Sequence, residues 1–473
     1  MTTHDWTPDV WPEPEFEPDP EPELDIGTDP EAPGSAIFNR RRFLQVLVAG
    51  GAAAAGYGVI YSGDARSATA AFGTITGGGS KGPTVIQPGT QLGVVTGTSN
   101  AGQLLPGAVD SRVLVVVEME GGNDGLSMVV PAGSGAYYDA RPNIAIAEEE
   151  VLPLDGEIGL NPNLARLHQR GLAIVEGVGP IDGNLSHFEM VQRWDRGDVD
   201  GASDLKSGFL ARLADTVNNG SPLVGLSVGG TTPRFANSTA STLALADLDA
   251  LAYLSASDDA GPRLRVYHDG LRTFSGEELT MVGMVGSSWV QLLQLGATVN
   301  QQTQRENDES NPMFTDGGGL GRQLAIAADL IAANVGVRIV HARIGGFDTH
   351  ENQVNRHNEL MGEIDAAVDG FLTQIELDGA ADRVLVATTS EFGRRVSEND
   401  AGTDHGSAST MLLAGPVAPG RYGLTSPVSS PDDNGNLRTE VPFDAYLATL
   451  AERWLGIEAA SVLPGTPEVL DII

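Results

Sequence analysis

Cysteine is absent from the 473 residues, and lysine nearly so: Lys81 and Lys206 are the only two, against 63 acidic residues and a formal net charge of −35. The first absence excludes disulfides, thiolate-bound metals, iron–sulfur clusters and cysteine nucleophiles, so any bound metal must be held by oxygen and nitrogen. The second leaves a surface that repels nucleic acid and anionic lipid, and no nucleic-acid partner is expected. Long apolar runs are missing too. The stretch Val46 to Tyr61 is shorter than the ~20 residues a spanning helix needs. What remains, 41% apolar residues over this length, is enough to bury a large core in one big domain or two medium ones.

Residues 1–39 hold eleven acidic residues and no lysine or arginine, with the run "PEPEFEPDPEPELD". Such a segment buries too little apolar surface to fold and reads as a disordered acidic leader. Over 40–70 comes a twin-arginine signal: Arg40-Arg41-Arg42-Phe43-Leu44, a mildly apolar Ala/Gly stretch, and a small-residue cleavage site with Ala68 and Ala70. The expectation is export by the twin-arginine translocase to the periplasm, cell envelope or medium, with no stable membrane span after cleavage. That route carries folded proteins, which suits a chain that acquires a metal before leaving the cytoplasm. Residues 71–110, rich in Gly, Ser, Thr and Pro, read as a linker, and a single folded domain is expected over 111–473.

Within that domain strands and helices alternate. "RVLVVVEM", "LAIVEGV", "VRIVHARI" and "RVLVATT", starting at Arg112, Leu172, Val337 and Arg383, are apolar runs of the kind found in strands covered on both faces; "STMLLAG" at Ser409 is a weaker fifth. Between them, Leu320, Leu324, Ala327, Ala328 and Ile331 share one helical face, as do Leu360, Met361, Ile364, Val368, Phe371 and Ile375. The alternation predicts a doubly wound, mostly parallel α/β sheet. Residues 230–316 read as an insertion or cap outside the sheet.

In open α/β sheets ligands bind beyond the carboxyl ends of the strands. The chemically capable residues fall there. "EMEGGNDGLS" carries Asp124 and Ser127, "NLSHFEM" Ser186 and His187, "GGFDTHENQ" Asp348 and His350, "SEFGRR" Glu391, Arg394 and Arg395, and "GTDHGS" Asp404 and His405. Mixed carboxylate and imidazole donors suit zinc or manganese, while carboxylates alone would suit magnesium or calcium. The expected metal set is Asp124, Asp348, His350, Glu391, Asp404 and His405, with Ser186, His187 and Arg394 as the expected catalytic groups. Blander readings stand beside these: His187 as a helix-start or core histidine, Ser186 as a helix cap, the two arginines as partners of surface acids, and His357 as a supporting or surface residue. His4, His168, His268 and His341 have no polar company in the sequence and no assigned role. The loop "GGNDG" lacks the Gly-Lys-Ser/Thr ending of a phosphate-binding P-loop, and no G-x-G-x-x-G follows the first strand.

The ordered set GGNDGLS, SHF, FDTH-x-x-Q, SEFGRR and GTDHG resembles the exported family known as domain of unknown function 1501, over roughly Arg112 to Gly456. That resemblance implies an alkaline phosphatase-like three-layer fold, shared with sulfatases and cofactor-independent phosphoglycerate mutase. It also implies a metal role for Asp124 after the first strand, for Asp348 with His350, and for His405. Where those relatives end a strand in Asp-His, this chain has Glu391-Phe392, so one ligand carries over. No C/S-x-P-x-R stretch is present, which argues against a formylglycine-type sulfatase. The expected function is therefore an exported metal-dependent hydrolase acting on a small phosphate or sulfate ester. Two alternatives are a non-catalytic envelope binding or assembly protein that keeps the fold, and a metal-dependent mutase or transferase.

Overall fold

The computed structural model describes residues 111–221, 223–245, 310–423 and 427–473. The leader, signal segment and linker expected over 1–110 lie outside these residues, as does His268 and most of the insertion expected over 230–316.

The apolar runs become strands. The described residues form a nine-stranded sheet of β1 (Val113–Glu120), β2 (Ala173–Gly179), β3 (Gly225–Val228), β4 (Thr242–Leu245), β5 (Ile339–Gly345), β6 (Val384–Ser390), β7 (Ser409–Ala414), β8 (Gly420–Gly423) and β9 (Val441–Pro442). Their order is β8-β2-β7-β6-β1-β5-β3-β4, with β9 also paired to β2. Every residue from Val113 to Met119 is buried. Only a strand covered on both faces can hide such a run, and β1 sits in the middle, parallel to β5 and β6. β4 lies inside the stretch expected to form an insertion, so that expectation is corrected at its start: Thr242–Leu245 extends the sheet beside β3.

Within this sheet β7 runs antiparallel to both its neighbours, β6 and β2. Its direction matters for the site. The N-terminal end of β7 lies at the edge where its neighbours end, so the "GTDHG" loop that precedes it arrives at the same rim as the loops that follow β1, β5 and β6.

Six helices support or border that rim: α1 (Gly125–Met128), α2 (His187–Arg196), α3 (Phe209–Val217), α4 (Gly318–Ala332), α5 (Gln353–Leu377) and α6 (Phe443–Thr449). α4 and α3 both pack on β3 and β5, from opposite faces, with α5 against α4 and α2 against α3. On α5 the buried positions Gln353, His357, Leu360, Met361, Ile364, Val368, Phe371 and Ile375 recur every three or four residues, the stripe of a helix laid on a core. No helix among the described residues is long and apolar enough to cross a membrane.

One buried polar network interrupts the core. Glu118 of β1 accepts from Arg234 at 2.6 Å and meets the His341 ring at 2.8 Å, and Arg234 lies 3.2 Å from Asp195 of α2. His341, which looked idle in the sequence, is thus a partner of a buried carboxylate. Burial alone would raise the pKa of Glu118, but the Arg234 and His341 charges and hydrogen bonds win and hold it at about 2. For Asp195 burial wins over Arg234, and its carboxyl is pushed up to about 6. Removing one member strands the others, which is the costly way to break such a network.

Trp194 of α2 joins core to site. It is buried, its ring stacks on Phe443 with centroids 4.4 Å apart, and its indole N–H donates to the Glu391 carbonyl at 3.0 Å. Trp194→Ala should lower the unfolding free energy by about 3–5 kcal/mol, and Trp194→Phe, which keeps the stacked ring, by ~1–3 kcal/mol. Urea unfolding followed by circular dichroism checks both values and their order.

Candidate metal centre

Two glycines let the first loop reach the others. Gly121 and Gly122 have φ of +114° and +84°, where side chains are disfavoured. A Cβ on Gly121 would lie 2.4 Å from the Asp348 backbone nitrogen, so the loop after β1 rests directly against the loop after β5.

Arg394 then ties the rim together. It is buried, and its guanidinium donates to the carbonyls of Gly121, Gly122 (2.8 Å), Phe347 (2.9 Å) and Thr403 (2.9 Å) and to Asp348 Oδ1 (2.8 Å). Arg394, expected as a catalytic group, instead has a structural place here. Its donors are spent on three loops and one carboxylate, and none points to solvent. Arg395 is different: it is half-exposed, with Nη1 3.6 Å from Asp404 Oδ2.

Around Asp348 three imidazoles converge. His350 Nε2 and His405 Nε2 each lie 3.1 Å from Asp348 Oδ1 and 3.1 Å from each other. His187 Nε2 lies 3.6 Å from Asp348 Oδ2. One donor atom from each of His187, Asp348 and His405 fits within 4.8 Å. All four side chains are partly open to solvent.

The opposite ring nitrogens are each turned to an outer acceptor. His187 Nδ1 faces the buried Glu391 carboxylate at 2.5 Å, His350 Nδ1 faces Asp404 at 3.5 Å, and His405 Nδ1 faces the Leu185 carbonyl at 3.0 Å. Leu185 holds φ at +57°, an uncommon backbone state for leucine that aims its carbonyl at the ring. Asp404 is itself held by the Asn399 amide at 2.9 Å. Phe392 supplies the packing, with its ring 5.0 Å from that of His187 and 4.5 Å from that of His405.

This is the donor pattern of metal-binding histidines, whose second nitrogen donates to a carboxylate or carbonyl while the first is left as a lone pair. With Nδ1–H turned outward, the Nε2 lone pairs of His350 and His405 face one another and a carboxylate. A cation, or a proton on one of the two rings, relieves that crowding. Tetrahedral bonds of ~2.0–2.1 Å put neighbouring ligand atoms about 3.3–3.4 Å apart, and the separations of 3.1 and 3.6 Å bracket that value. The residues present therefore fit one divalent ion, with His187, Asp348 and His405 as donors and His350 beside Asp348 and His405.

The electrostatics agree. Burial would raise the pKa of Asp348, but Arg394, by hydrogen bond and by charge, and the neighbouring imidazoles bring it down to about 2. Partial burial lowers that of His405 against its bonds to Leu185 and Asp348. Both groups are held in the deprotonated forms that bind metal.

Three further placements differ from expectation, the first being Asp404, which faces the outer nitrogen of His350 and is not one of the grouped donors. Glu391 stands behind His187, with its other oxygen accepting from the Gly121 N–H at 3.0 Å, so it orients a donor; His187 takes the inward position. Asp124 is buried away from the cluster. Both of its oxygens are bonded to Arg141 (2.6 and 3.1 Å), with Ser127 and Gln353 as further donors. Burial would raise its pKa, yet Arg141 carries it down to about 2. Arg141 had no motif to mark it in the sequence. Ser127 is spent on Asp124 at 2.7 Å, whereas Ser186 sits at the N-cap of α2 beside His187 without capping the helix. His357 is buried, with Nε2 3.0 Å from Asn123 Oδ1.

Together the fold and this rim define an α/β protein whose strand-end loops gather a histidine–aspartate cluster suited to one divalent ion. The chain belongs to the protein family of unknown function DUF1501, whose model matches residues 170–439. No curated protein matches it. Solved structures similar to it include PsFucS1 sulfatase from Pseudoalteromonas sp., at 12% identity over 76% of this chain and 70% of that one, TM-score 0.36. The phosphonate monoester hydrolase SpPMH from Silicibacter pomeroyi is similar at 12% identity over 74% of each chain, TM-score 0.30. Alkaline phosphatase from the Antarctic bacterium TAB5 is similar at 11% identity over 66% of this chain and 92% of that one, TM-score 0.27.

His357 sets a pH dependence. Burial, with Arg141 and Arg394 nearby, outweighs Asp124 and brings its pKa from 6.5 to about 4. The fold holds it neutral while the unfolded chain takes up a proton, so its contribution is present above about pH 6.5 and lost as pH falls toward 4. His357→Gln should flatten the stability profile across that window relative to wild type, as read by urea unfolding at several pH values.

Proposed function

We propose that this chain is an exported metal-dependent hydrolase of a small phosphate or sulfate ester. The observation that carries the reading is the common arrangement of His187, His350 and His405: each ring is oriented from outside and offers Nε2 to Asp348. Zinc or manganese suits three imidazoles and one carboxylate better than magnesium or calcium. A divalent ion held there supplies Lewis acidity toward an ester oxygen and a lowered pKa for water. The chain's own residues do the rest. Glu391 and Asp404 hold His187 and His350 in register, and Leu185 holds His405. Ser186, next in sequence to His187, is the hydroxyl proposed to attack, and Arg395, near Asp404, the guanidinium proposed to meet the anion. The twin-arginine segment before the folded region supports export after metal loading.

A second reading draws on Ser127 and Arg394. Both are buried and fully committed to Asp124, backbone carbonyls and Asp348, which favours a non-catalytic envelope protein in which the ion only holds the rim loops together.

Metal analysis of the purified protein, alongside hydrolysis of 4-nitrophenyl phosphate and 4-nitrophenyl sulfate, tests both. About one equivalent of zinc or manganese per chain is expected, with turnover abolished by chelation and restored by the metal. His405→Ala should lower metal affinity and turnover by at least ~100-fold. A protein that neither carries nor takes up a divalent metal removes both readings. Metal binding without turnover of either ester favours the second.

A further inference from the structure

Gln353 has no charge and touches no proposed ligand, yet it lies between the two loops that carry most of them. It is buried at the first position of α5. Its Oε1 accepts from Thr403 Oγ1 at 2.7 Å and from Thr349 Oγ1 at 3.3 Å. Thr349 stands between Asp348 and His350, and Thr403 immediately precedes Asp404 and His405. The backbones repeat the link: Gln353 N donates to Ala401 O at 3.0 Å, and Thr403 N to Thr349 O at 3.3 Å. The side-chain amide of Gln353 donates to Asp124 Oδ2, which fixes its flip so that the oxygen faces the threonines. Asp124 is pinned in turn by Arg141, whose other donors reach the Val396 carbonyl at 2.8 Å and the Arg395 carbonyl at 2.9 Å.

We infer that Gln353, held by the buried Asp124–Arg141 pair, is a positioning residue that sets the separation of His350 and His405 and thereby the affinity of the rim for its metal. This rests on the proposed metal site. The physical reason is that the two threonine hydroxyls share one acceptor oxygen, so each ligand loop can shift only by breaking a buried hydrogen bond. The Nε2–Nε2 spacing is then determined by groups that never touch the ion. The charge of Asp124 serves the same end by neutralising Arg141 and orienting the amide.

The test is a titration of the metal-stripped protein with Zn²⁺ against a competing chelator, with Co²⁺ visible absorption as a second signal for ligand geometry. Gln353→Leu keeps the bulk and removes both links; it should weaken Zn²⁺ binding by about 10–100-fold and change the Co²⁺ spectrum. Thr403→Val removes one hydroxyl at nearly constant shape and should weaken binding by about tenfold. Thr403→Ser, which keeps the hydroxyl, should bind as wild type does. A merely structural role would lower the melting temperature of the apo proteins and leave Zn²⁺ affinity in the folded variants unchanged; that result overturns the inference. If Gln353→Leu does not fold, the Thr403→Val and Thr403→Ser pair decides. A wild type that binds no Zn²⁺ removes the metal reading and this one with it, whereas a wild type that binds while both variants match it removes this one alone.

Discussion

One buried guanidinium organises the rim of this protein. Arg394 gathers carbonyls from the loops after β1 and β5 and from the segment before β7, and adds the Asp348 carboxylate. A charge buried this deeply is tolerable only because each of its three nitrogens meets at least one oxygen, a carboxylate among them. The same requirement dictates the surroundings. The first loop must come close, which only glycine permits at 121 and 122, and Asp348 must present Oδ1 both to Arg394 and to the rings of His350 and His405, with Oδ2 toward His187.

Around that anchor the structure keeps two kinds of polar group apart. Asp124, Arg141, Gln353, Thr349 and Thr403 are buried and satisfy one another, so they give rigidity and no reactivity. His187, Asp348 and His405 are partly open and bring their donor atoms within reach of one another, with His350 beside Asp348. Buried hydrogen bonds, stronger in a low dielectric than in water, hold the open groups in a geometry that their own repulsion opposes. This is how a strongly acidic chain maintains a tight cluster of imidazoles and a carboxylate.

The sheet was legible because its signal is local. Continuous apolar runs at Val113, Ala173, Ile339 and Val384 announce covered strands, and the spacing from Leu320 to Ile331 announces a covered helix. The edge strands β4 and β8 were not, since four residues with one face open carry little hydrophobic pattern. The rule that ligands gather beyond strand ends pointed to loops that the structure brings to one rim. It did not separate the residues within them: Glu391 and His187 exchange inner and outer positions, and Asp124 turns inward to Arg141, because such choices rest on side-chain directions set by distant partners.

What the sequence determined by itself is the chemistry available: no thiolate anywhere, and carboxylates and imidazoles placed in loops among glycines after apolar strands. Tertiary structure alone decided which of those groups gather at the rim and which pair with buried partners. The reversed direction of β7 delivers His405 to the rim, and Arg141, unmarked by any motif, takes Asp124 out of it. Both outcomes depend on contacts between segments far apart in the chain, where burial and charge pairing, not local propensity, set the lowest free energy.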